Sequence, residues 1–365
     1  MAIQKISTED LLSLAGKFPV LDVRSPSEYS HAHIPGAHSL PLFNDEERKI
    51  IGTAYKQQSR EKAIKLGLDF FGVKMRPMVE EAEKIIKGFS YKADDNPQPT
   101  TRNPQPTTRN CVIVHCWRGG MRSGAVAWLL NFYGFEVYLL EGGYKAFRNW
   151  VLPQFHLDYN FNIIGGYTGS AKTVLLKEMQ GRGHAIIDLE GLAKHKGSAF
   201  GALGLPEQPS QEMFENLLAI ELNKNSRNFF WVEDESQRIG SLNIPNAFWN
   251  SMRNKPVYFL AIPFDERLEY IIAEYGSLPK EGLINAIIRI QKRLGPAETK
   301  AAIGFLVEDN TRECFRILLH YYDKNYLKSL HNRENLATLL NKIDCKGVDI
   351  ISNTEKLLSC VTVNS

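Results

Sequence analysis

The 365-residue chain has only five cysteines, at 111, 116, 314, 345 and 360, and no CxxC pair. That excludes a disulfide scaffold and suits a reducing compartment in which each thiol is used individually. Long hydrophobic runs are missing: no stretch approaches the ~18 uncharged apolar residues of a membrane helix. Glu9 and Asp10 interrupt the N-terminus where a signal peptide would need its apolar core. The expectation is a soluble cytoplasmic protein with no membrane partner. Charge of one sign is also missing. Lys and Arg total 44 against 41 acidic residues, a net charge of +3, so no global field announces a polyanion. A nucleic-acid partner has to be argued from local sites. What is present is a 43% hydrophobic composition, enough for two ordinary domains of about 150 residues each plus extra elements.

Along the chain, Thr8 to Ala15 is a helix capped by Ser7 or Thr8, and Phe18 to Val23 is a β-rich run. A polar loop follows from Arg24 to Gly36. The charged segment from Glu46 to Lys87 carries helical apolar spacing and should cover one face of a sheet. Residues 96–109 are a tandem copy of Asn-Pro-Gln-Pro-Thr-Thr-Arg, too Pro-rich and short to build a core, and expected to be a low-complexity insertion. Cys111 to His115 reads as a buried strand, Cys116 to Met121 as a glycine-containing loop, Arg122 to Tyr133 as a helix, and Phe135 to Leu140 as a strand. This βαβ unit places an α/β domain over residues 1–150. A second α/β domain spans 158–264, with strands at Phe161–Gly165, Ala185–Leu189, Phe229–Val232 and Val257–Ile262. Residues 265–365 read as mainly helical. In them Arg289, Lys292 and Arg293 are expected exposed on one helix, a face suited to a polyanion.

His115-Cys116-Trp117-Arg118-Gly119-Gly120-Met121-Arg122-Ser123 sets a thiol between a strand end and a helix start. Backbone N–H groups freed by the glycines, the helix dipole and two arginines would stabilise a thiolate and cradle an anion. The other four cysteines lack that setting. The string also satisfies His-Cys-x5-Arg, whose arginine clamps phosphate in cysteine-dependent phosphatases. Spacing alone leaves the two chemistries open.

Gly166-Tyr-Thr168-Gly169-Ser170-Ala171-Lys172-Thr173 follows a strand and opens a helix, as a Walker A loop requires. Its N–H groups would wrap a diphosphate and Lys172 would neutralise it. Ala171 stands where the pattern has glycine, and a methyl group there clashes if φ must be positive. Phe229 to Val232 ends in Glu233-Asp234-Glu235, the place of a Walker B acid, and Asp188 and Glu190 follow a neighbouring strand. Thr173, Glu233 and Asp234 are the ligands on offer if Mg²⁺ is used. If the strands are parallel neighbours, these acids face the loop of Lys172.

Leu21-Asp22-Val-Arg24-Ser-Pro-Ser-Glu28-Tyr, His33-Ile-Pro-Gly-Ala37, the cysteine loop and Leu140-Glu-Gly-Gly143 resemble a rhodanese domain. In such a fold Asp22, Arg24, Glu28 and His33 lock loops around the site. Leu42-Phe-Asn-Asp-Glu-Glu-Arg48, Tyr55-Lys-Gln-Gln58, Asp188-Leu-Glu-Gly-Leu192, His195-Lys-Gly-Ser-Ala-Phe200 and Val232-Glu-Asp-Glu-Ser236 extend the likeness. Over about residues 18–240 the chain resembles the bacterial tRNA 2-selenouridine synthases. The resemblance implies an α/β fold class: an N-terminal rhodanese-like domain, then a P-loop NTPase-like domain with a helical C-terminal extension.

It also implies a transferase that geranylates wobble 2-thiouridine in tRNA from geranyl diphosphate, then replaces the geranylthio group with selenium from selenophosphate. Cys116 would carry selenium, with Arg118 and Arg122 on the phosphate portion and Trp117, Gly119, Gly120, Met121 and Ser123 completing the selenophosphate loop. Gly166, Thr168, Gly169, Ser170, Lys172 and Thr173 would hold the diphosphate, supported by Asp188, Glu233 and Asp234. Trp117 and Tyr144 are candidates to stack a base, and Arg267, Arg289, Lys292 and Arg293, expected exposed in the helical part, are candidates for tRNA phosphate contacts. No tightly bound cofactor is implied, and a selenophosphate-producing enzyme is a further partner. Two rivals stay open: a phosphatase with a nucleotide-binding domain, and a kinase-like NTPase with a regulatory rhodanese domain.

Overall fold

Val112, Ile113 and Val114 are fully buried, and a strand apolar on both faces belongs inside a parallel sheet. The computed structural model describes residues 3–89 and 110–362; the tandem repeat at 96–109 lies outside the described residues. The chain divides into two compact units, residues 1–153 and 154–365.

In the first unit the elements run β1 (Gln4–Ile6), α1 (Thr8–Leu14), β2 (Val20–Asp22), α2 (Pro26–His31), β3 (His38–Ser39), α3 (Asp45–Gln57), α4 (Arg60–Gly72) and α5 (Met75–Gly88). They continue with β4 (Cys111–His115), α6 (Met121–Tyr133), β5 (Glu136–Leu140) and α7 (Gly143–Gln154). The sheet order is β1-β5-β4-β2-β3 with every pairing parallel. β4 is therefore central, flanked by β5 and β2, and the loops leaving all three gather at one edge. Leu21, Val114, Val126 and Leu130 lie in one core, joined from α5 by Met78, Val79 and Ala82. The capping box of Ser7 and Asp10 starts α1, and Gly134, at φ 117°, ends α6 in a left-handed turn.

The second unit begins with β6 (Phe161–Gly166), α8 (Lys172–Gly181), β7 (Ala185–Ile187), α9 (Leu189–Ala193), α10 (Gln211–Lys224) and β8 (Phe230–Glu233). A short antiparallel pair follows, β9 (Arg238–Ile239) with β10 (Leu242–Asn243). Then come α11 (Asn246–Arg253), β11 (Val257–Ala261), α12 (Phe264–Tyr275), α13 (Lys280–Leu294), α14 (Pro296–Val307) and α15 (Thr311–His331). The last elements are α16 (Leu336–Leu339), β12 (Leu340–Asp344) and α17 (Ile350–Thr362). The sheet is parallel in the order β12-β11-β6-β8-β7.

The helical reading of 265–365 missed β12. Ile343 is its one fully buried side chain, and a mostly polar edge strand gives little alternation to read. Through β12 the C-terminal segment completes the phosphate-loop sheet. α12 to α15 form their own core with Leu268, Ile287, Ala302 and Leu318.

Candidate active sites

The cysteine loop leaves the carboxyl end of β4 and enters α6. The Cys116 Sγ is buried and lies 3.2 Å from the Ser123 hydroxyl. Burial pushes its pKa up, but the Ser123 hydroxyl, the N–H groups of Ser123 and Arg118, and the Arg122 charge outweigh it, leaving the thiol below its ordinary value. The glycines matter here. Gly119 has φ 63°, and a Cβ on it would meet the Leu140 carbonyl at 2.7 Å. Gly143 has φ 59°, and its Cβ would fall 2.3 Å from the Cys116 carbonyl oxygen. The N–H groups of Tyr144 and Lys145 donate to the Cys116 and Trp117 carbonyls at 2.8 and 2.9 Å. The β5 turn thus fixes the backbone under the thiol.

Asp22 and Arg24 support the loop from below. Arg24 Nη2 donates to Asp22 Oδ2 at 2.6 Å and to the Ala32 carbonyl at 2.7 Å, and its guanidinium lies 3.9 Å from the Tyr144 ring centroid. Tyr144 is fully buried and its ring carries Arg24, so it offers no face for a base; Trp117 remains partly exposed. His33 stacks on Tyr29 and its Nδ1 is 3.0 Å from the Tyr29 carbonyl, a loop-locking contact. Arg122 does not present a free fork. Its Nη1 and Nη2 donate to Glu28 at 2.6 and 3.3 Å, so the bidentate phosphate clamp of the phosphatase reading is already filled by a carboxylate. Arg118, Gly120 and Met121 are exposed at the loop surface.

In the second unit Gly166 to Thr173 joins β6 to α8 and encloses the expected phosphate cradle. Gly169, at φ 84°, lies so close to α12 that a Cβ would meet the Arg267 carbonyl at 2.9 Å. Ala171 takes φ 54° and ψ 34°, the left-handed region, where a methyl group costs about 1–2 kcal/mol. Lys172 Nζ donates to the Gly166 carbonyl at 3.1 Å. The Ser170 hydroxyl is buried and has no hydrogen-bond partner among the described residues. Asp188 caps α9 by accepting from the Gly191 N–H at 2.7 Å.

β8 pairs with β6 and β7 with β8, all in parallel, so the carboxylates at their ends reach the loop as the sequence suggested. Thr173 Oγ1 is 2.6 Å from Glu190 and 2.7 Å from Glu233. Burial, with the nearby Glu190 and Asp188 charges, pushes Glu233 up to about 8. Burial also raises Glu190 and Glu235. One oxygen from each of Glu190, Glu233 and Glu235 lies within 4.8 Å of the others, a donor set suited to a hard cation such as Mg²⁺.

Asp234 corrects the expected ligand trio. Past the end of β8, alternation sends Glu233 and Glu235 to one side and Asp234 to the other. There it accepts from Tyr326 Oη at 2.7 Å and pairs with the buried Arg333. Tyr326 Oη in turn accepts the Gly166 N–H at 3.1 Å.

Arg267 is a second correction. It is buried, pairs with Asp323 at 2.8 Å and donates to the Thr168 carbonyl at 3.0 Å, so it braces the phosphate loop rather than facing RNA. Tyr326, Arg333 and Asp323 are thus site residues to which the sequence assigned no such role. Around the loop opens a cavity of about 1290 Å³. Phe200, Ile271, Tyr275, Phe315, Leu318 and Tyr322 line it as an apolar wall, together with Lys172 and Thr173.

Residues 7–71 and 73–149 match the rhodanese-like domain, and residues 159–345 match the tRNA 2-selenouridine synthase AAA domain. Over 381 aligned residues the chain is 32% identical to the tRNA 2-selenouridine synthase of Bdellovibrio bacteriovorus, covering 91% of this chain and 94% of that protein. The chain belongs to the tRNA 2-selenouridine synthase family. Its identity to the synthase of Nitrosomonas europaea is 35% over 320 residues, covering 85% of this chain and 76% of that protein. To the Sulfurovum synthase it is 34% over 318 residues, 81% of this chain and 80% of that protein. Family membership fits both loops: the rhodanese match contains Cys116, and the AAA match contains the Lys172 loop together with β12. Among the described residues no helix is long and apolar enough to cross a membrane.

Proposed function

We propose that the chain converts wobble 2-thiouridine of tRNA to 2-selenouridine by geranylation followed by selenium exchange. The observation that carries this reading is the shared cavity. A phosphate loop and an apolar wall of aromatic and branched side chains line one space, as a short prenyl diphosphate requires and a nucleotide base does not. Drug-sized ligands occupy about 300–1,000 Å³, so the cavity has room for a prenyl diphosphate beside a nucleoside.

In the first step the thiouridine sulfur forms a bond to the allylic carbon as the carbon–oxygen bond to diphosphate breaks and the N3 proton leaves. The Gly166 to Lys172 backbone and Lys172 stabilise the departing charge. Mg²⁺, when bound, would be held by Thr173, Glu190, Glu233 and Glu235 and would neutralise charge on the diphosphate. In the second step the depressed pKa of Cys116 favours a thiolate that bonds to the phosphorus of selenophosphate as the phosphorus–selenium bond breaks, freeing hydroselenide and leaving a phosphocysteine that water hydrolyses to phosphate. Arg118 and the loop N–H groups receive the phosphate portion, while Arg122 is oriented by Glu28. The hydroselenide then bonds to C2 as the carbon–sulfur bond breaks, and geranylthiol leaves.

Nucleoside mass spectrometry of 2-thiouridine tRNA tests this, using geranyl diphosphate with selenophosphate added or withheld. The expected result is a geranyl adduct that converts to selenouridine only with selenophosphate. Lys172→Ala should lower geranylation at least 100-fold, on the scale of losing one transition-state charge contact. Cys116→Ser should accumulate the geranyl adduct without selenium. Equal loss of both products in Cys116→Ser would refute the division between the two sites.

A further inference from the structure

α13 carries Arg289, Lys292 and Arg293 at positions i, i+3 and i+4, neighbours on one helix face. All three are exposed, line the cavity, and have no carboxylate partner among the described residues. Lys194, on the turn after α9, and Arg238, in β9, are likewise exposed and line the same cavity. The two segments adjoin: after burial, the Arg289 charge is what lowers the pKa of His195. The cavity's acids do not cancel these cations. Glu274 pairs with Lys196, Asp188 with Lys177, and Asp234 with Arg333. Glu190 and Glu235 cluster with Glu233 beside Thr173. The result is a set of unpaired cations on the rim of a cavity that holds a phosphate loop and an apolar wall within.

We propose that this rim, formed by Arg289, Lys292 and Arg293 with Lys194 and Arg238, grips the phosphates of a single-stranded RNA loop whose base enters the cavity. The inference rests on the prenyl-transfer reading and names the surface that delivers the nucleoside to it. A prenyl diphosphate needs charge only at the phosphate loop, and the rim cations lie on other elements. Free guanidinium and ammonium groups in a row match a polyanion, and single-stranded loops are the form in which RNA bases can be splayed into a protein pocket.

The test compares the full chain with an Arg289→Gln, Lys292→Gln, Arg293→Gln triple variant. Fluorescence anisotropy with an anticodon stem-loop RNA is recorded across a KCl series, beside calorimetric binding of geranyl diphosphate. Each lost phosphate contact removes about 0.7 from the log–log salt slope for a single strand, so the triple variant should lose about 2. Geranyl diphosphate affinity should stay within about threefold. A control variant, Lys49→Gln, Lys56→Gln, Lys62→Gln on α3 and α4, should keep the wild-type slope. An unchanged slope in the rim variant, or an equal loss in the control, overturns the proposal. So does rim-dependent binding to phosphatidylglycerol vesicles but not to RNA. Rim-dependent RNA binding without any geranylated nucleoside would leave the surface standing and refute the prenyl-transfer reading.

Discussion

Replacing Asp22 with Asn would isolate a cation inside the first unit. Arg24 and Asp22 have side-chain exposures of 1% and 0%, and the carboxylate accepts from both Nε and Nη2 of Arg24. Asparagine keeps the volume and one acceptor oxygen but removes the counter-charge. The buried guanidinium is then left with the Ala32 carbonyl and the Tyr144 face, contacts it already makes in the native protein and which therefore offset nothing new. Breaking a buried pair from one side costs about 3–5 kcal/mol, and the retained hydrogen bond places Asp22→Asn near the lower end.

The sign of its pH dependence follows from Asp22. Burial works against the charge, but His115 and Arg24 hold the carboxyl below its ordinary value. A depressed folded pKa contributes stability above the unfolded value of about 3.9 and loses it as pH falls through the folded pKa. The deficit of the variant should therefore be full at pH 7 and shrink below about pH 4. Urea unfolding read by hydrogen exchange in β2 and β4 isolates this unit. Adding Arg24→Met should recover at least about 1 kcal/mol of the loss, since the orphaned charge goes with it. A loss under about 1 kcal/mol at pH 7, or a double variant worse than the sum of the singles, would refute the reasoning.

Further outcomes are expected at three residues. Ser123→Ala removes a hydrogen bond that favours the Cys116 thiolate, worth about 1 kcal/mol, and should slow iodoacetamide alkylation of that thiol at pH 7 about fivefold. Ala171→Gly relieves left-handed strain but loosens the unfolded chain by about 0.4–1 kcal/mol, so thermal unfolding should show no loss. Ala171→Val should destabilise by more than about 1 kcal/mol, because a β-branched residue resists positive φ. Tyr326→Phe strands the Gly166 N–H and an Asp234 oxygen. It should cost about 1–3 kcal/mol in thermal unfolding, and an unchanged transition would show that the hydroxyl does not bridge them.

Local signals were the legible ones. The strand Cys111–His115, the glycines of the cysteine loop and the Gly166 to Thr173 string each announce themselves within ten residues, and the two α/β halves follow from them. What escaped was long-range or depended on facing. Tyr326 reaches the phosphate loop directly and Arg333 and Asp323 reach it through Asp234 and Arg267, across long chain separations with no spacing to betray a buried polar partner. Asp234 was placed with the acids although the period of two that groups Glu233 with Glu235 excludes it. Arg267 was read as exposed although it lies four residues before Ile271 and next to Leu268, on the apolar side of α12. Charge alone suggested solvent, and helical spacing gave the better answer. β1 and β3 are three and two residues long, too short for any periodicity to declare them.

One helix does several jobs at once. α15 lends Phe315, Leu318 and Tyr322 to the apolar wall, Asp323 to the arginine bracing Thr168, and Tyr326 to the first amide of the phosphate loop. An advance of one residue turns a helix by about 100°, so an insertion or deletion within α15 would disturb all three together. Over evolutionary time, variation in what the cavity accepts should therefore arrive as side-chain replacements at fixed helix length, since any shift of frame would also disturb the loop from Gly166 to Thr173.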